Sequence, residues 1–163
     1  MNQDLAPEHE FFEVALTHAF ELGPFCLLLV VWPGYSLARQ NPSERERGWA
    51  HVEKHVRQRV PPGAPVTRVS PGIVASILHL PWSEAHDTAA AILDGIAKES
   101  VLVVPDLEGE DFLLRASAAL GESSKWPNPA RLSLHTMYRA CRSPLGMVEP
   151  MKALGFVKPV DAE

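Results

Sequence analysis

The stretch Phe25-Cys26-Leu27-Leu28-Leu29-Val30-Val31-Trp32 decides the fold, because it is apolar at every position and is bounded by Gly23-Pro24 and Pro33-Gly34. A strand with one face in water alternates apolar and polar residues, whereas a strand covered on both faces is apolar throughout. The stretch is also far shorter than the roughly 20 residues of a membrane helix. It therefore predicts the central strand of a sheet that is covered by helices.

Helices and a hairpin are predicted on either side of this strand. Apolar residues at helical spacing predict a helix over residues 8–22. Downstream, Asn41-Pro42-Ser43-Glu44 has the residues of a helix start, with Asn able to cap and Pro suited to the first turn. Two apolar runs, 66–69 and 73–80, flank Ser70-Pro71-Gly72, and this pattern predicts a β-hairpin.

The second half of the chain continues the alternation of helices and strands. The predicted elements are a helix capped by Ser83, a strand over 101–104, a helix over 110–120, a loop over 126–129 and a strand over 131–136. The resulting order, α-β-α-β-β-α-β-α-β, is that of an α/β (α+β) domain. We expect one domain over residues 1–140 and a tail over 141–163 that packs loosely, closes over its own domain or docks on a partner.

Composition and charge exclude several classes of protein. Of 163 residues, 46% are hydrophobic and 21% charged, which is enough to build a core and excludes disorder as the main state. A net charge of −5 argues against a broad nucleic-acid surface. Cys26 and Cys141 form no CxxC pair, and the acidic start Met1-Asn2-Gln3-Asp4 lacks the basic region of a signal peptide. We therefore expect a cytoplasmic protein without nucleic-acid binding or direct membrane insertion.

The element order, with its hairpin in the middle, resembles the GGDEF domain of diguanylate cyclases over roughly residues 8–136. Residues 24–35 resemble the family's first strand, which ends in Asp-x-Asp-x-Phe, and residues 66–75 resemble its Val-Ala-Arg-x strand and signature hairpin. Ser83-Glu84-Ala85 resembles the start of the next helix, and residues 113–120 resemble a Leu-Leu-x-x-Ala-Asp-x-Ala-Leu helix. The resemblance implies a ferredoxin-like fold with a mixed, mostly antiparallel sheet flanked by helices.

The chain departs from the family where the family's chemistry takes place. In the cyclases, acids at the end of the first strand and in the signature turn hold the divalent metals. The corresponding residues here are Val31, Pro33, Gly72 and Ile73, none of which offers a carboxylate. The two positions that read guanine in the family fall on Arg39 and Trp49, and its product-binding Arg-x-x-Asp falls on residues 61–64, Pro-Pro-Gly-Ala. We therefore expect no catalytic residues and no cofactor.

These departures favour a degenerate GGDEF-like domain that acts as a regulatory or protein-binding module in bacterial signalling. Its partner would be another protein, with a homodimer as one option. The candidate interaction surface combines aromatic and tail residues: Trp32, Trp49, Met147, Met151, Leu154 and Phe156. For Trp32, a place as a cap on the core is an equal alternative. A receptor for a guanine nucleotide or cyclic di-GMP is the alternative function, and fold alone does not exclude an enzyme of different chemistry.

Two further features have ordinary structural interpretations. His51 and His55 are spaced i, i+4, but the order His-Val-Glu-Lys-His fits neither metalloprotease pattern, and no third ligand is near in sequence. We therefore expect solvated or partly packed histidines and no metal. For Arg68, on the strand before the turn, a structural ion pair is expected rather than contact with a ligand.

Overall fold

Residues 7–33, 42–99, 116–143 and 148–149 are described by the structure, a computed structural model. The helices are α1 (Pro7–Leu22), α2 (Pro42–Arg59), α3 (Trp82–Lys98) and α4 (Pro129–Arg142). The strands are β1 (Cys26–Val31), β2 (Val66–Ser70), β3 (Ile73–Leu78), β4 (Ser117–Glu122) and β5 (Val148–Glu149). A short 3-10 turn, Ser123–Lys125, follows β4. The strand predicted over 101–104 lies outside the described residues.

The strands form one sheet in the order β2-β3-β1-β4-β5. β1 is antiparallel to both of its neighbours, so that Leu28 lies opposite Ser76 on β3 and Leu120 on β4. β2 and β3 are the two strands of the predicted hairpin, and β4 and β5 are parallel. The prediction of a mixed, mostly antiparallel sheet flanked by helices is confirmed.

Alternate residues of β1 enter two separate cores, one on each face of the sheet. Leu28 and Val30 pack with residues of α2 and α3, and both have 0% of their surface exposed. Leu27 and Leu29 pack with residues of α1 and α4 and are at most 2% exposed. Because both faces of β1 are covered, water reaches neither side, and this explains why the strand is apolar at every position.

Two predicted elements in the second half are wrong. Residues 117–120, predicted as the end of a helix, belong to strand β4, and residues 110–115 of that helix lie outside the described part. The resemblance of residues 113–120 to a family helix is therefore not supported at its C-terminal end. Residues 131–136, predicted as a strand, lie inside α4. Asn128 caps this helix by accepting a hydrogen bond from the Arg131 backbone N–H at 2.9 Å, with Pro129 at the first turn.

Two further observations concern the tail and the start of α3. Val148, assigned to the tail, is 4% exposed and pairs with Ala118 of β4, so this part of the chain closes on its own domain. α3 begins at Trp82 and its N-cap, Pro81, makes no side-chain capping bond, so Ser83 is not the cap.

Across the residues that the structure describes, no helix combines the length and the apolar character that crossing a membrane requires.

Candidate functional site

The end of β1 meets the turn between β2 and β3, and this junction brings the predicted vestigial residues together. Val31 lies opposite Ile73 in the sheet, and the Trp32 backbone N–H donates to the Gly72 carbonyl oxygen at 2.7 Å. Gly72 has a φ of 77°, a left-handed conformation that favours glycine in a tight turn. We call Val31, Pro33, Gly72 and Ile73 the strand-end site. Besides Trp49, the other residue predicted to be vestigial is Arg39, which lies outside the described residues.

The strand-end site is closed by apolar packing. Ile73 is only 6% exposed, and Val31 packs against the core shared with α1 and α4. Pro33 is exposed, but its ring carries no polar atom. Mg²⁺ is bound through oxygen ligands, and none of these four side chains supplies one.

Trp32 is part of the core and not of a surface. Only 2% of its surface is exposed, and its ring contacts α2 at Gly48, where a Cβ would lie 2.1 Å from a ring atom. The expectation that Trp32 belongs to an interaction surface is therefore wrong, and the alternative, that it caps the core, is right. Trp49 is partly buried against the same core. The other surface candidates, Met147, Met151, Leu154 and Phe156, lie outside the described residues.

Arg68 forms the structural ion pair that the sequence predicts. Its Nε donates to Glu53 at 2.8 Å, and its two terminal nitrogens donate to the two Glu46 oxygens at 2.8 and 2.9 Å. The guanidinium also lies 4.6 Å from the centroid of the Trp49 ring. The hydrogen bonds from Arg68 lower the pKa of Glu46, and those to Glu46 and Glu53 raise the pKa of Arg68.

This network decides what the charged groups near the junction can do. Both carboxylates are already held by a cation, and all three nitrogens of the Arg68 guanidinium already donate to carboxylate oxygens. A phosphate that used these same three N–H groups would have to displace Glu46 or Glu53. The arrangement is suited to fixing α2 on β2 and poorly suited to binding an anion.

Residues 61–64, Pro-Pro-Gly-Ala, line an apolar cavity. It has a volume of about 420 Å³ and lies between α1 and the loop that follows α2. Ala15, Leu22 and Ile77 contribute to its wall, together with His18 and His79. Among the residues that the structure describes, no acidic or basic side chain of fixed charge lines it.

A cluster of possible metal ligands lies elsewhere, between α2 and the end of α3. His51 and His55 are joined there by Glu99, and one ligand atom from each of the three lies within 4.8 Å of the others. The expectation of no metal assumed that a third ligand was missing, and Glu99 corrects that assumption. Sequence reasoning missed Glu99 because it is 44 residues from His55, and only the packing of α3 on α2 brings them together.

Comparison with known proteins identifies the fold. No protein-family model matches the sequence, and no curated protein matches it. Among solved structures, the chain matches the GGDEF domain of the Pseudomonas aeruginosa protein TpbB, also called YfiN, with a TM-score of 0.66 and 15% identity over 88% of this chain and 92% of that one. It also matches the GGDEF domain of DgcB from Caulobacter crescentus, solved with c-di-GMP, with a TM-score of 0.66 and 12% identity over 91% and 95% of the two chains.

A third similar structure is the active GGEEF domain of a diguanylate cyclase from Vibrio cholerae. Its TM-score is 0.64 at 11% identity, and the match covers 86% of this chain and 91% of that one. Sequence identity this low establishes a common fold and leaves the activity of the chain to its own residues.

Proposed function

Because the chain has the fold of GGDEF domains, we propose that it is a catalytically inactive, GGDEF-like domain that acts as a regulatory, protein-binding module in bacterial signalling. The observation that carries this proposal is the strand-end site, where Val31 and Ile73 are paired in the sheet and Gly72 forms the turn. By the resemblance, a cyclase needs carboxylates here to hold its divalent metals. An apolar junction leaves the phosphate charge of GTP without a counter-ion.

Loss of the metal ligands leaves the scaffold intact, and this supports a role without catalysis. The two cores are built from aliphatic and aromatic side chains of the sheet and helices, with β1 buried between them. Their stability comes from burial of apolar surface and does not depend on a bound ion. The domain can therefore remain folded and present its surface after its chemistry is lost.

The Arg68 network favours a protein-binding role over a nucleotide receptor. Arg68 is the basic side chain on the strand that leads into the turn, and both of its carboxylate partners are within 2.9 Å. Binding a nucleotide phosphate through the same N–H groups would cost those hydrogen bonds, which are charge-assisted and among the stronger kind.

Incubation of the purified chain with GTP and either Mg²⁺ or Mn²⁺ tests the loss of activity. We expect no cyclic di-GMP and no other product by chromatography, while an active cyclase domain handled in parallel yields product. Calorimetric titration with GTP and cyclic di-GMP is expected to show no binding at micromolar concentrations. Product formation would contradict the absence of catalysis, and micromolar binding would establish the receptor function instead.

Helix α4 offers a described surface for a protein partner. Leu134 is 63% exposed and Tyr138 58% exposed, and their i, i+4 spacing puts them on one face of the helix. The Arg142 guanidinium lies 5.0 Å from the centroid of the Tyr138 ring and extends this face by another turn. Tyrosine and arginine are enriched at the energetic centres of protein interfaces.

Partner capture with paired variants tests this surface. We expect the double variant Leu134→Ser, Tyr138→Ser to lose at least tenfold in affinity for a protein retained by the native chain. Lys98→Ala on the exposed side of α3 serves as the control and should retain the partner. Light scattering of the purified chain distinguishes a second copy from a different protein. Equal capture by the native chain and the double variant would exclude α4 as the contact.

A further inference from the structure

Two imidazoles are buried side by side between α2 and α3. His51 is 9% exposed and His55 1% exposed, and their ring centroids lie 4.7 Å apart in an edge-to-face arrangement. α3 approaches them through Gly95, where a Cβ would lie 2.7 Å from His55 Nδ1. Glycine at this position therefore leaves room for the ring. Burial lowers the pKa of both histidines, which keeps them neutral, as metal ligands must be.

The distance between His55 and Glu99 matches that between two ligands of one small cation. His55 Nε2 lies 3.2 Å from Glu99 Oε1. Two tetrahedral ligands of Zn²⁺ at about 2.0–2.1 Å from the ion are about 3.3 Å from each other. The three ligand atoms lie within 4.8 Å of one another, close enough for small movements of the side chains to let one ion reach all three.

An independent observation comes from His51. Its Nε2 is buried and has no hydrogen-bond partner, an unfavourable state for a polar atom in the core. The backbone of Ile96 acts on the pKa of the same ring and raises it, against the lowering by burial. Metal-binding histidines typically donate one ring N–H to a carbonyl and direct the other nitrogen's lone pair at the ion. A bound cation would satisfy this buried nitrogen.

We propose that His51, His55 and Glu99 bind one divalent transition-metal ion of the Zn²⁺ class, with a fourth position open to water or another ligand. Two imidazoles and one carboxylate suit Zn²⁺ and similar ions and do not suit Mg²⁺, which prefers oxygen ligands throughout. The site ties the end of α3 to α2 and is separate from the strand-end site. It does not depend on whether the domain has lost cyclase activity.

Metal binding requires the ring proton of His55 to change nitrogen and the Arg59 guanidinium to move away. The Arg59 guanidinium only donates, so His55 Nδ1, 2.9 Å away, accepts its hydrogen bond, and the ring proton is on Nε2 facing Glu99. When the metal takes Nε2, that proton must be carried by Nδ1 and Arg59 must turn away. Arg59 is exposed and free to do so. Lys54 Nζ, 3.6 Å from the same Glu99 oxygen, is a second cation that competes with the metal.

Titration of the tag-free chain with Co²⁺, followed by displacement with Zn²⁺, tests the proposal. We expect one Co²⁺ per chain, with the intense visible absorption of a tetrahedral or five-coordinate ion, and its loss when Zn²⁺ is added. Glu99→Gln keeps the shape of a half-exposed side chain and should weaken binding at least tenfold, as should His51→Gln. The control is His86→Ala. His86 lies on α3, the helix that ends next to Glu99, and this variant should bind Co²⁺ as the native chain does.

Arg59→Met should not weaken metal binding, in contrast to Glu99→Gln and His51→Gln. Removing the guanidinium leaves His55 Nδ1 free to carry the proton, so we expect Zn²⁺ to bind as tightly as to the native chain or several times more tightly. Thermal melting checks folding, since Zn²⁺ should raise the melting temperature of the native chain and of Arg59→Met but not that of Glu99→Gln. Absence of stoichiometric binding, native affinity in both Glu99→Gln and His51→Gln, or weaker binding in Arg59→Met would overturn the site.

Discussion

Arg68 fixes the position of a helix on a strand through one side chain. Its guanidinium joins Glu46 and Glu53, which are two turns apart on α2, to strand β2, and the Trp49 ring lies beneath it. Its bond to Glu46 uses both carboxylate oxygens, and this geometry is more specific than a single contact. Arg68 and Glu53 are 22% and 21% exposed, so this pair is less screened by solvent than a typical surface ion pair, whereas Glu46 is 63% exposed.

Replacing Arg68 with methionine should therefore lower stability. We expect Arg68→Met to reduce the free energy of unfolding by about 1 kcal/mol, because two glutamates lose a common partner. Urea denaturation measures the change. The control is Lys98→Ala, which breaks a 2.9 Å pair with Asp94 whose side chains are both more than 60% exposed, and its effect should stay below about 0.5 kcal/mol. Equal losses in the two variants would contradict this account of Arg68.

The two cysteines should differ in reactivity. Burial raises the pKa of the Cys26 thiol from its ordinary 9.0 to about 11, and Glu122 adds to the effect. Partial burial also raises the pKa of Cys141, but that residue is exposed to reagents. Only the thiolate reacts with alkylating reagents. At pH 8 we expect iodoacetamide to modify Cys141 alone in the folded chain and both cysteines in urea, as measured by mass spectrometry. Modification of folded Cys26 at the rate of Cys141 would show that the thiol is not buried.

The raised pKa of Cys26 also makes the stability of the folded chain depend on pH. Between about pH 9 and pH 11 the unfolded chain releases the Cys26 proton while the folded chain keeps it. The folded state therefore binds more protons than the unfolded state in this window, and its stability falls as the pH rises. Denaturation at several pH values should show a smaller fall for Cys26→Ala than for the native chain. Identical pH dependence of the two chains would argue against the raised pKa.

At the scale of elements, the approach of α2 to the sheet depends on Gly48. Trp32 extends from the end of β1, and its ring occupies the volume that a Cβ at Gly48 would need. The helix thus gains a close contact with a large aromatic ring. The cost is a glycine in a helix, which lowers helix stability by about 1 kcal/mol relative to alanine.

Gly48→Ala should destabilise the domain in spite of its better helix propensity. We expect a loss of about 1–3 kcal/mol, because the helix or the ring must shift to remove the overlap. In a Trp32→Leu background the same substitution should cost less, since the smaller side chain leaves space. A double-mutant cycle from urea denaturation measures this coupling. Additive effects of the two substitutions would contradict the direct contact.

The elements that the sequence predicted correctly are those with strong local signals, and the others were decided by tertiary contacts. β1 is apolar throughout and the hairpin has Pro71-Gly72 at its turn, so both were recognisable. β4 contains Ala118, Ala119 and Leu120, which favour a helix, but pairing with β1 outweighs that preference. In α4, the alternation of Leu132 and Leu134 suggested a strand, although Asn128-Pro129 was a usable helix signal.

The candidate sites divide in the same way. That the strand-end site carries no carboxylate was visible in the sequence, because each position follows a recognisable strand or turn. The sequence predicted that Arg68 forms a structural ion pair, but it did not predict that the partners lie on α2. Glu99 gave no signal, since its place beside His55 depends on how two helices pack. Sequence patterns thus locate residues within an element and do not show which distant elements meet.

At the scale of the molecule, the sheet separates two cores, and the residues of β1 are buried to a similar extent in both. Leu28 faces α2 and α3, and Leu29 faces α1 and α4, with 0% and 2% of their surfaces exposed. Both cores include residues of β1. A substitution that disrupts the packing of one core should therefore also destabilise the other through this strand. The domain is therefore expected to unfold in a single cooperative step.

Leu28→Ala and Leu29→Ala should have comparable effects. Each removes a buried side chain and leaves a cavity, for which we expect a loss of about 2–5 kcal/mol. Val14→Ala, at a position 69% exposed on α1, should change stability by less than about 0.5 kcal/mol. Urea denaturation followed by fluorescence and by circular dichroism measures these values. A small effect at only one of the two leucines would show that its core is loosely packed.

The borders of the described sheet bear on aggregation. β2, at one border, is five residues long, changes register between Arg68 and Ser70, and carries a charged side chain that is already paired. β5, at the other, is two residues long. Short, irregular and charged borders are poor templates for a foreign strand. The borders of this sheet are therefore poor starting points for fibril growth by strand addition. We expect concentrated solutions of the folded chain to form no amyloid fibrils.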